Sequence, residues 1–399
     1  MTDPNARAAE VARASYGKLL AMLASRTGDI MAAEDALADA FQRALEVWPR
    51  DGVPDRPEAW LMTTAKHKLI DHQRRMVRMD VTDAVPEGKA PEFDAEAIPD
   101  ERLRLLFVCA HPAIDPAIRT PLMLQTVLGL EAVEIGRAFL IPGPTMAQRL
   151  VRAKRKIRDA RVPFTLPDLS ETGGRMEAVL EAVYGAFATD WLDEAPPLAA
   201  EAVYLARVLT EVAPDAPEVL GLAALVHFIH ARRGARMVNG ILVPLHEQDV
   251  ELWDEGATDA AEAWLARAAE AGQMGRFQLE AAIQSVHAAR RHTGRTDWRA
   301  LSQLYTGLNR LYPTVGGAVS HAAVVGEDAG AEAGLAMLAS IAPDLIRTFQ
   351  PAWAVRAHLL RSAGRAAEAV DAYDTAIKLC VQPSLRKWLA VERGKVPRT

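Results

Sequence analysis

The chain has 399 residues, half of them hydrophobic, a formal net charge of −6 and only two cysteines. That length allows two or three domains with sizeable cores. Cys109 and Cys380 exclude a disulfide framework and a zinc site and fit a reducing cytosol. The first residues lack a signal-peptide core, and no run reaches the roughly 20 apolar residues needed to span a bilayer. A cytoplasmic protein without membrane contact is expected. The charge is uneven: residues 1–161 carry 24 Lys and Arg against 23 Asp and Glu, and residues 162–399 carry 22 against 29.

Residues 7–27 place Val11, Ala14, Leu19, Leu20 and Leu23 at helical spacing. After Gly28-Asp29, residues 31–48 are rich in strong helix formers. Ala33, Ala36, Leu37, Ala40, Ala44, Leu45 and Trp48 form the stripe, and Pro49 is expected to stop the helix. A proline loop leads to a third helix over 58–76, where Trp60, Leu61, Thr64, Leu69 and Ile70 alternate with Lys66, Lys68, Arg74 and Arg75. Residues 77–100 are acidic, proline-bearing and aperiodic, and read as a linker. Asp100 is the expected N-cap of a helix over 101–110. Another helix is expected over 116–128. Cys109 and His111 have no partners at metal-ligand spacing and read as a packed thiol and a helix-end histidine.

Leu128, Leu130, Ile135 and Phe139 then fall at helical spacing. The run Leu140-Ile141-Pro142-Gly143-Pro144 breaks that helix, because proline lacks an amide donor and restricts the residue before it. A second helix is expected from Thr145, with Met146, Leu150, Ala153 and Ile157 buried. Helix, short turn and helix with a basic face is the helix-turn-helix pattern. Residues 144–161 carry seven basic side chains against one acid, Asp159. Thr145, Gln148 and Arg149 stand where such helices read base edges. Arg152, Lys154, Arg155 and Lys156 are placed for phosphates. A solvated basic helix in an ordinary bundle is the plainer alternative.

The stretch DALADAFQRALEVW, the proline loop and PEAWLMTTAKHKLIDHQRR resemble region 2 of the extracytoplasmic-function (ECF) sigma factors of the sigma-70 family. Residues 119–161 resemble region 4 of the same family, in the matching order and at the matching separation. The resemblance implies an all-α chain: a region 2 bundle over 5–76, a linker over 77–100 and a region 4 bundle over 101–161. It implies a subunit that binds RNA polymerase core, at the clamp helices of the largest subunit and at the flap, and directs it to promoter DNA. Asp35, Asp39, Phe41, Gln42, Ala44, Leu45 and Trp48 would face the clamp helices. Phe41 and Trp48 fit a core role equally well. The third helix would recognise and open the −10 element through Trp60, Lys66, His67, Arg74 and Arg75, with Asp71 capping or orienting Arg74 or Arg75. Opening a duplex needs a basic surface and a platform for an unstacked base. Trp60 fits the core better than it fits such a platform. The basic helix would bind the −35 element. The acidic linker reads equally as a nucleic-acid mimic and as a solvated spacer.

Ordinary members of that family stop soon after region 4, whereas this chain continues. Helices are expected at about 174–191, 197–213, 216–233, 258–271, 275–292, 297–310, 315–326, 329–341, 350–363, 365–380 and 383–393. Trp353, Ala357, Leu360, Gly364, Ala369, Tyr373 and Ala376 resemble the small/large pattern of a tetratricopeptide repeat. Three irregular repeats are expected over 258–393, after a helical extension over 175–257. Within that extension, Asn239-Gly240 between apolar pairs signals a short hairpin. His246, Glu247, Asp249 and Glu251 lack a second ligand cluster and are not expected to hold a metal. The whole resembles the sigma-factor subgroup with a fused tetratricopeptide-like regulatory domain, which would recruit a protein partner.

No phosphate-cradling glycine loop, nucleophile elbow or paired-histidine motif is present, so neither enzyme activity nor a cofactor is expected. Two other readings stand beside the sigma factor. One is a stand-alone helix-turn-helix regulator with a helical-repeat sensor domain; the other is a scaffold whose repeats are primary.

Overall fold

The structure is a computed structural model that describes residues 4–79, 98–166, 173–190 and 197–397. Most of the expected linker lies outside the described residues. Among those described there are twenty α-helices and one two-stranded sheet, so the architecture is all-α as the periodicity predicts. The chain forms two compact units, Met1–Leu209 and Thr210–Thr399.

The first unit begins with α1 (Pro4–Thr27), α2 (Ile30–Asp51) and α3 (Pro57–Met79). Asp29 caps α2, its carboxylate accepting from the amides of Met31 at 2.9 Å and Ala32 at 3.2 Å. The predicted stop at Pro49 is wrong. A proline in the last turn forfeits one hydrogen bond, and the helix ends at Gly52, whose φ of 87° suits glycine and whose amide still reaches the Trp48 carbonyl. Leu19, Leu20, Leu23, Ile30, Leu37, Trp48 and Leu61 fill the space between the three helices.

The chain resumes in α4 (Ile98–Cys109), which starts before Asp100; that residue lies in the first turn and is not the predicted cap. Next come α5 (Pro116–Thr126), α6 (Ala132–Ala138) and α7 (Gly143–Asp159). The predicted helical run through Leu128 and Leu130 is a turn instead, with Gly129 at φ 73° and both leucines buried. Phe139 and Leu140 lie outside the core, Leu140 at 92% exposure. Helix α7 starts at Gly143, two residues before the expected Thr145, and Pro144 sits in its first turn. Helices α6 and α7 cross closely: a Cβ on Gly136 would stand 2.5 Å from the Ile141 carbonyl oxygen.

The two halves of this unit are packed together. Helix α1 lies on α4 and α5, and α2 meets α7. At the contact a Cβ on Gly17 would overlap the Val127 carbonyl, so a residue without a side chain is required there. Two further helices complete the unit, α8 (Gly173–Asp190) and α9 (Pro197–Val212). Helix α8 packs on α4 and α5. Arg102 of α4 pairs with Glu201 of α9 and lies 4.9 Å from the Tyr204 ring centroid. The first two helices of the extension therefore belong with the first unit, whereas the sequence groups them with the rest of the extension.

The second unit is built on α10 (Pro217–Ala231), whose residues Val219–Phe228 are buried on every face. A short 3-10 turn, Arg233–Ala235, leads into the predicted hairpin of β1 (Met237–Val238) and β2 (Ile241–Leu242). Asn239 and Gly240 both have positive φ, 51° and 71°, as a two-residue turn of this hand requires. Two more 3-10 turns, Leu245–Glu247 and Val250–Leu252, reach α11 (Glu255–Glu270). The helix expected over 275–292 is broken at Ala289 into α12 (Arg276–Ala288) and α13 (Arg290–Thr293). The Glu218 carboxylate caps α12, accepting from the amides of Phe277 at 2.9 Å and Gln278 at 3.1 Å.

Then follow α14 (Trp298–Leu311), α15 (Val315–Ala329), α16 (Ala331–Ala339), an unforeseen α17 (Pro343–Ile346), α18 (Gln350–Ser362), α19 (Ala366–Leu379) and α20 (Pro383–Gly394). Helix α18 turns at Gly364, φ 75°, into α19, and Ala357, Leu360, Ala369, Tyr373 and Ala376 form their shared core.

The Gly17 contact yields the first test. Gly17→Ala gains about 0.8–1.0 kcal/mol of helix propensity, but the clash with Val127 costs about 1–3 kcal/mol. Urea unfolding of the full chain should show net destabilisation.

Candidate nucleic-acid interface

The amphipathic pattern of α7 decides what it presents. Met146, Leu150, Ala153 and Ile157 face inward and are buried. That leaves Gln148, Arg149, Arg152, Arg155, Lys156 and Arg158 in solvent, with Thr145 partly covered. Arg149, Arg152 and Lys156 line a groove of about 550 Å³ together with Asp115, Ala117 and Ile118 from the start of α5. The α5 terminus is a feature the helix-turn-helix pattern alone did not point to. Its N-cap Asp115 accepts from the Ala117 amide at 3.0 Å. The surface joins cations to a helix N-terminus, which is the chemistry that binds phosphate.

Lys154 departs from expectation. It is 6% exposed, and its ammonium donates to both carboxylate oxygens of Glu34 on α2, at 2.5 and 2.7 Å. It is not on the solvent-exposed basic face, because the helical period sets it beside Leu150 and Ile157 on the packed side. Burial raises the Glu34 carboxyl above its ordinary pKa, although Lys154 pulls it down. The pair is a contact between the two halves of the first unit, made by the helix expected to read DNA and the helix expected to meet polymerase.

On α2, Asp35, Asp39, Gln42 and Leu45 are exposed and Phe41 is partly buried. Ala44 and Trp48, 0% and 1% exposed, form the core against α1 and α3; for Ala44 this corrects the expected contact role, and for Trp48 it selects the core reading of the two that the sequence allowed. The Asp39 carboxylate lies 3.3 Å from the Lys68 ammonium of α3. Trp60 is half-buried and meets Trp48 edge to face, with ring centroids 5.7 Å apart, so it is packed and not held out as a stacking platform. His67 is exposed and Lys66 partly covered; burial, with Arg26 nearby, lowers the Lys66 pKa. Arg74, Arg75 and Asp71 lie in α3, but their side chains are outside the described residues.

The Cys109 thiol is buried against the Thr126 hydroxyl at 3.4 Å, and burial pushes its pKa up to about 12. It is an inert packed thiol. Among the described residues no group of His, Cys, Asp and Glu is arranged to hold a metal ion, and no helix is long and apolar enough to cross a membrane.

Comparison with known proteins agrees with part of this geometry. Residues 11–78, which form α1 to α3, match Sigma-70 region 2. Residues 175–269 match a family of unknown function, DUF6596. "Probable ECF RNA polymerase sigma factor SigI" of Mycobacterium tuberculosis is 27% identical over 159 residues, 38% of this chain and 54% of that protein. "Uncharacterized protein R00370" of Rhizobium meliloti is 35% identical over 377 residues, 90% of this chain and 89% of that protein. No solved structure matches the chain. With identity at that level over nearly its whole length, the chain belongs to the family of the Rhizobium meliloti protein, with sigma-70 region 2 at its N-terminal end and a DUF6596 segment behind it.

Proposed function

We propose that this chain is an ECF-type sigma factor: a non-enzymatic subunit that binds RNA polymerase core and takes it to promoters with defined −35 and −10 elements. The observation that carries the reading is the exposed Gln148, Arg149, Arg152 and Lys156 face of α7, in one unit with a sigma-70 region 2 match. In this reading Gln148 and Arg149 read −35 bases, and Arg152, Arg155 and Lys156 hold phosphates. The exposed Asp35, Asp39, Gln42 and Leu45 face meets the clamp helices, and His67, Arg74 and Arg75 serve the −10 element. The helices of the second unit act as tetratricopeptide-like repeats that take a protein partner and regulate the activity.

The packed first unit is the resting form. Elements centred about 25 base pairs apart lie roughly 85 Å apart at 3.4 Å per pair. Helices α3 and α7, both packed on α2 in one unit, cannot serve both elements there, so the contact between α2 and α7 must part. Parting exposes Lys154 and Glu34, which regain water as they lose each other.

One observation favours a second reading, a stand-alone regulator: the basic face of α7 is open in the packed unit and needs no rearrangement to meet duplex DNA. Run-off transcription with purified core polymerase on a promoter library separates the two. Promoter-specific transcripts support the sigma factor. Their absence, with the protein alone shifting duplex DNA, supports the regulator.

Three outcomes are expected from the residues. Arg149→Ala and Gln148→Ala should each weaken −35 recognition by about 1–3 kcal/mol, read as promoter-specific loss in footprinting. Lys156→Ala should weaken all duplexes alike and lower the salt slope of binding by about one. Lys154→Ala acts differently, because it leaves the Glu34 carboxylate buried without its cation. It should open the first unit at neutral pH, seen as a larger radius of gyration in small-angle scattering. The sign of its pH dependence follows from the raised Glu34 pKa. The contribution is fully present below the unfolded value and is lost as pH rises through the folded one. Losing Lys154 removes the influence that lowers the Glu34 pKa, so the variant should close again as pH falls from neutrality and the carboxyl takes up a proton; a form that stays equally expanded at every pH would contradict this role for Glu34.

A further inference from the structure

The second unit buries a cation without a counter-ion. Arg232, at the C-terminal end of α10, is 6% exposed. One guanidinium nitrogen, Nη2, donates to the Gln284 side-chain oxygen at 2.5 Å. The other, Nη1, is buried and has no hydrogen-bond partner. The guanidinium lies 5.9 Å from the Trp253 ring centroid, and Arg290 of α13 lies 5.2 Å from the same centroid. The indole Nε1 of Trp253 is also buried and unpartnered.

Four carboxylates that flank Trp253 in the chain are committed elsewhere. Glu247 pairs with His246 and Glu255 with Arg291. Asp249 and Asp254 cap the backbone that follows them. Arg290 itself donates to the Gln248 carbonyl at 2.6 Å. Among the described residues no carboxylate is paired with Arg232 or Arg290. His287 adds no negative charge; burial, then Arg232, Arg290 and His246, push its pKa down to about 3. Burial and Arg290 likewise lower Arg232 to about 10.

A buried charge without a partner is among the most unfavourable arrangements a core can hold. A water molecule can satisfy a donor, but it cannot neutralise a guanidinium that shares one indole with a second. We infer that Arg232, Arg290 and Trp253 form a binding site for a small oxyanion, a carboxylate or a phosphate group, whose oxygens accept from Arg232 Nη1 and Trp253 Nε1. Guanidinium is the side chain whose planar fork fits both anions. The segment between Arg233 and Asp254 covers the site with three 3-10 turns and a two-residue hairpin. Its short turns lack the long hydrogen-bonded ladders of the helices, so a ligand would enter by local opening of this segment. The site lies wholly in the second unit and does not depend on the promoter reading.

The test is thermal unfolding of the full chain titrated separately with inorganic phosphate and with succinate, against chloride at matched ionic strength. The site predicts a rise in Tm of about 5 °C near saturation with at least one of them. A rise with phosphate alone assigns the phosphate class, and a rise with succinate alone the carboxylate class. Arg232→Gln should abolish the rise while leaving the ligand-free Tm unchanged or higher, because an uncompensated charge is removed. Trp253→Phe keeps the ring and removes the donor, and should weaken binding about tenfold. If Arg232→Gln fails to fold, Trp253→Phe and hydrogen exchange on the unaltered chain carry the test. The anion should then slow exchange across residues 237–253. No rise beyond chloride from either anion overturns the inference, as does a rise undiminished in either variant.

Discussion

The first unit depends on how a lysine is taken out of water. Lys154 sits on the inner side of α7, and its ammonium is satisfied only by Glu34, 120 residues earlier in the chain. An ion pair in such a position does little for stability by itself, because desolvation of both groups offsets their attraction. Its effect is on specificity: α7 packed on α2 in another register would strand one charge or both. The tight approach of Gly17 to Val127 fixes the neighbouring contact of α1 by shape alone. One contact is electrostatic and titratable, the other steric and insensitive to pH, and together they set the arrangement of the two halves.

This arrangement links the chemistry of α7 to its surroundings. The same helix divides its cations between two tasks. Arg149, Arg152 and Lys156 remain in solvent beside the N-terminus of α5, where phosphates can reach them. Lys154, on the opposite side, is held by the helix expected to meet polymerase. In the function proposed above, a surface that competes for α2 would also release α7, which would couple core binding to promoter binding without any further device.

The second unit handles its buried charge in the opposite way. Arg232 meets an indole that a second guanidinium shares and donates to an amide, and among the described residues no acid is paired with it. Glu218 shows that this unit does match buried polar groups where it can, since its carboxylate closes the N-terminus of α12. The contrast between a fully matched Glu218 and an unmatched Arg232 gives the cluster its meaning as a site.

Much of this was legible in the sequence. Apolar spacing determined nearly every helix, because a 3.6-residue period is a local property. Asn239-Gly240 determined the hairpin, because both positions need positive φ. The basic face of α7 and the region 2 pattern could be read directly. Other features were decided only by packing. Pro49 did not end α2, since a proline in a last turn removes a single hydrogen bond while Gly52 lies just beyond. Leu45, expected on the apolar stripe of α2 with Ala44 and Trp48, stays exposed, because α1 and α3 close over the side that holds the other two. The period does place Lys154 on the apolar side of α7, between Leu150 and Ile157, but composition alone made it one more basic residue. Its partner, the absence of one for Arg232, and the union of α8 and α9 with the first unit all depend on residues far apart in the chain. Local patterns determine which elements form and which face each buries; only the tertiary structure decides which buried charge meets another, because that distance is set by every helix packed between them.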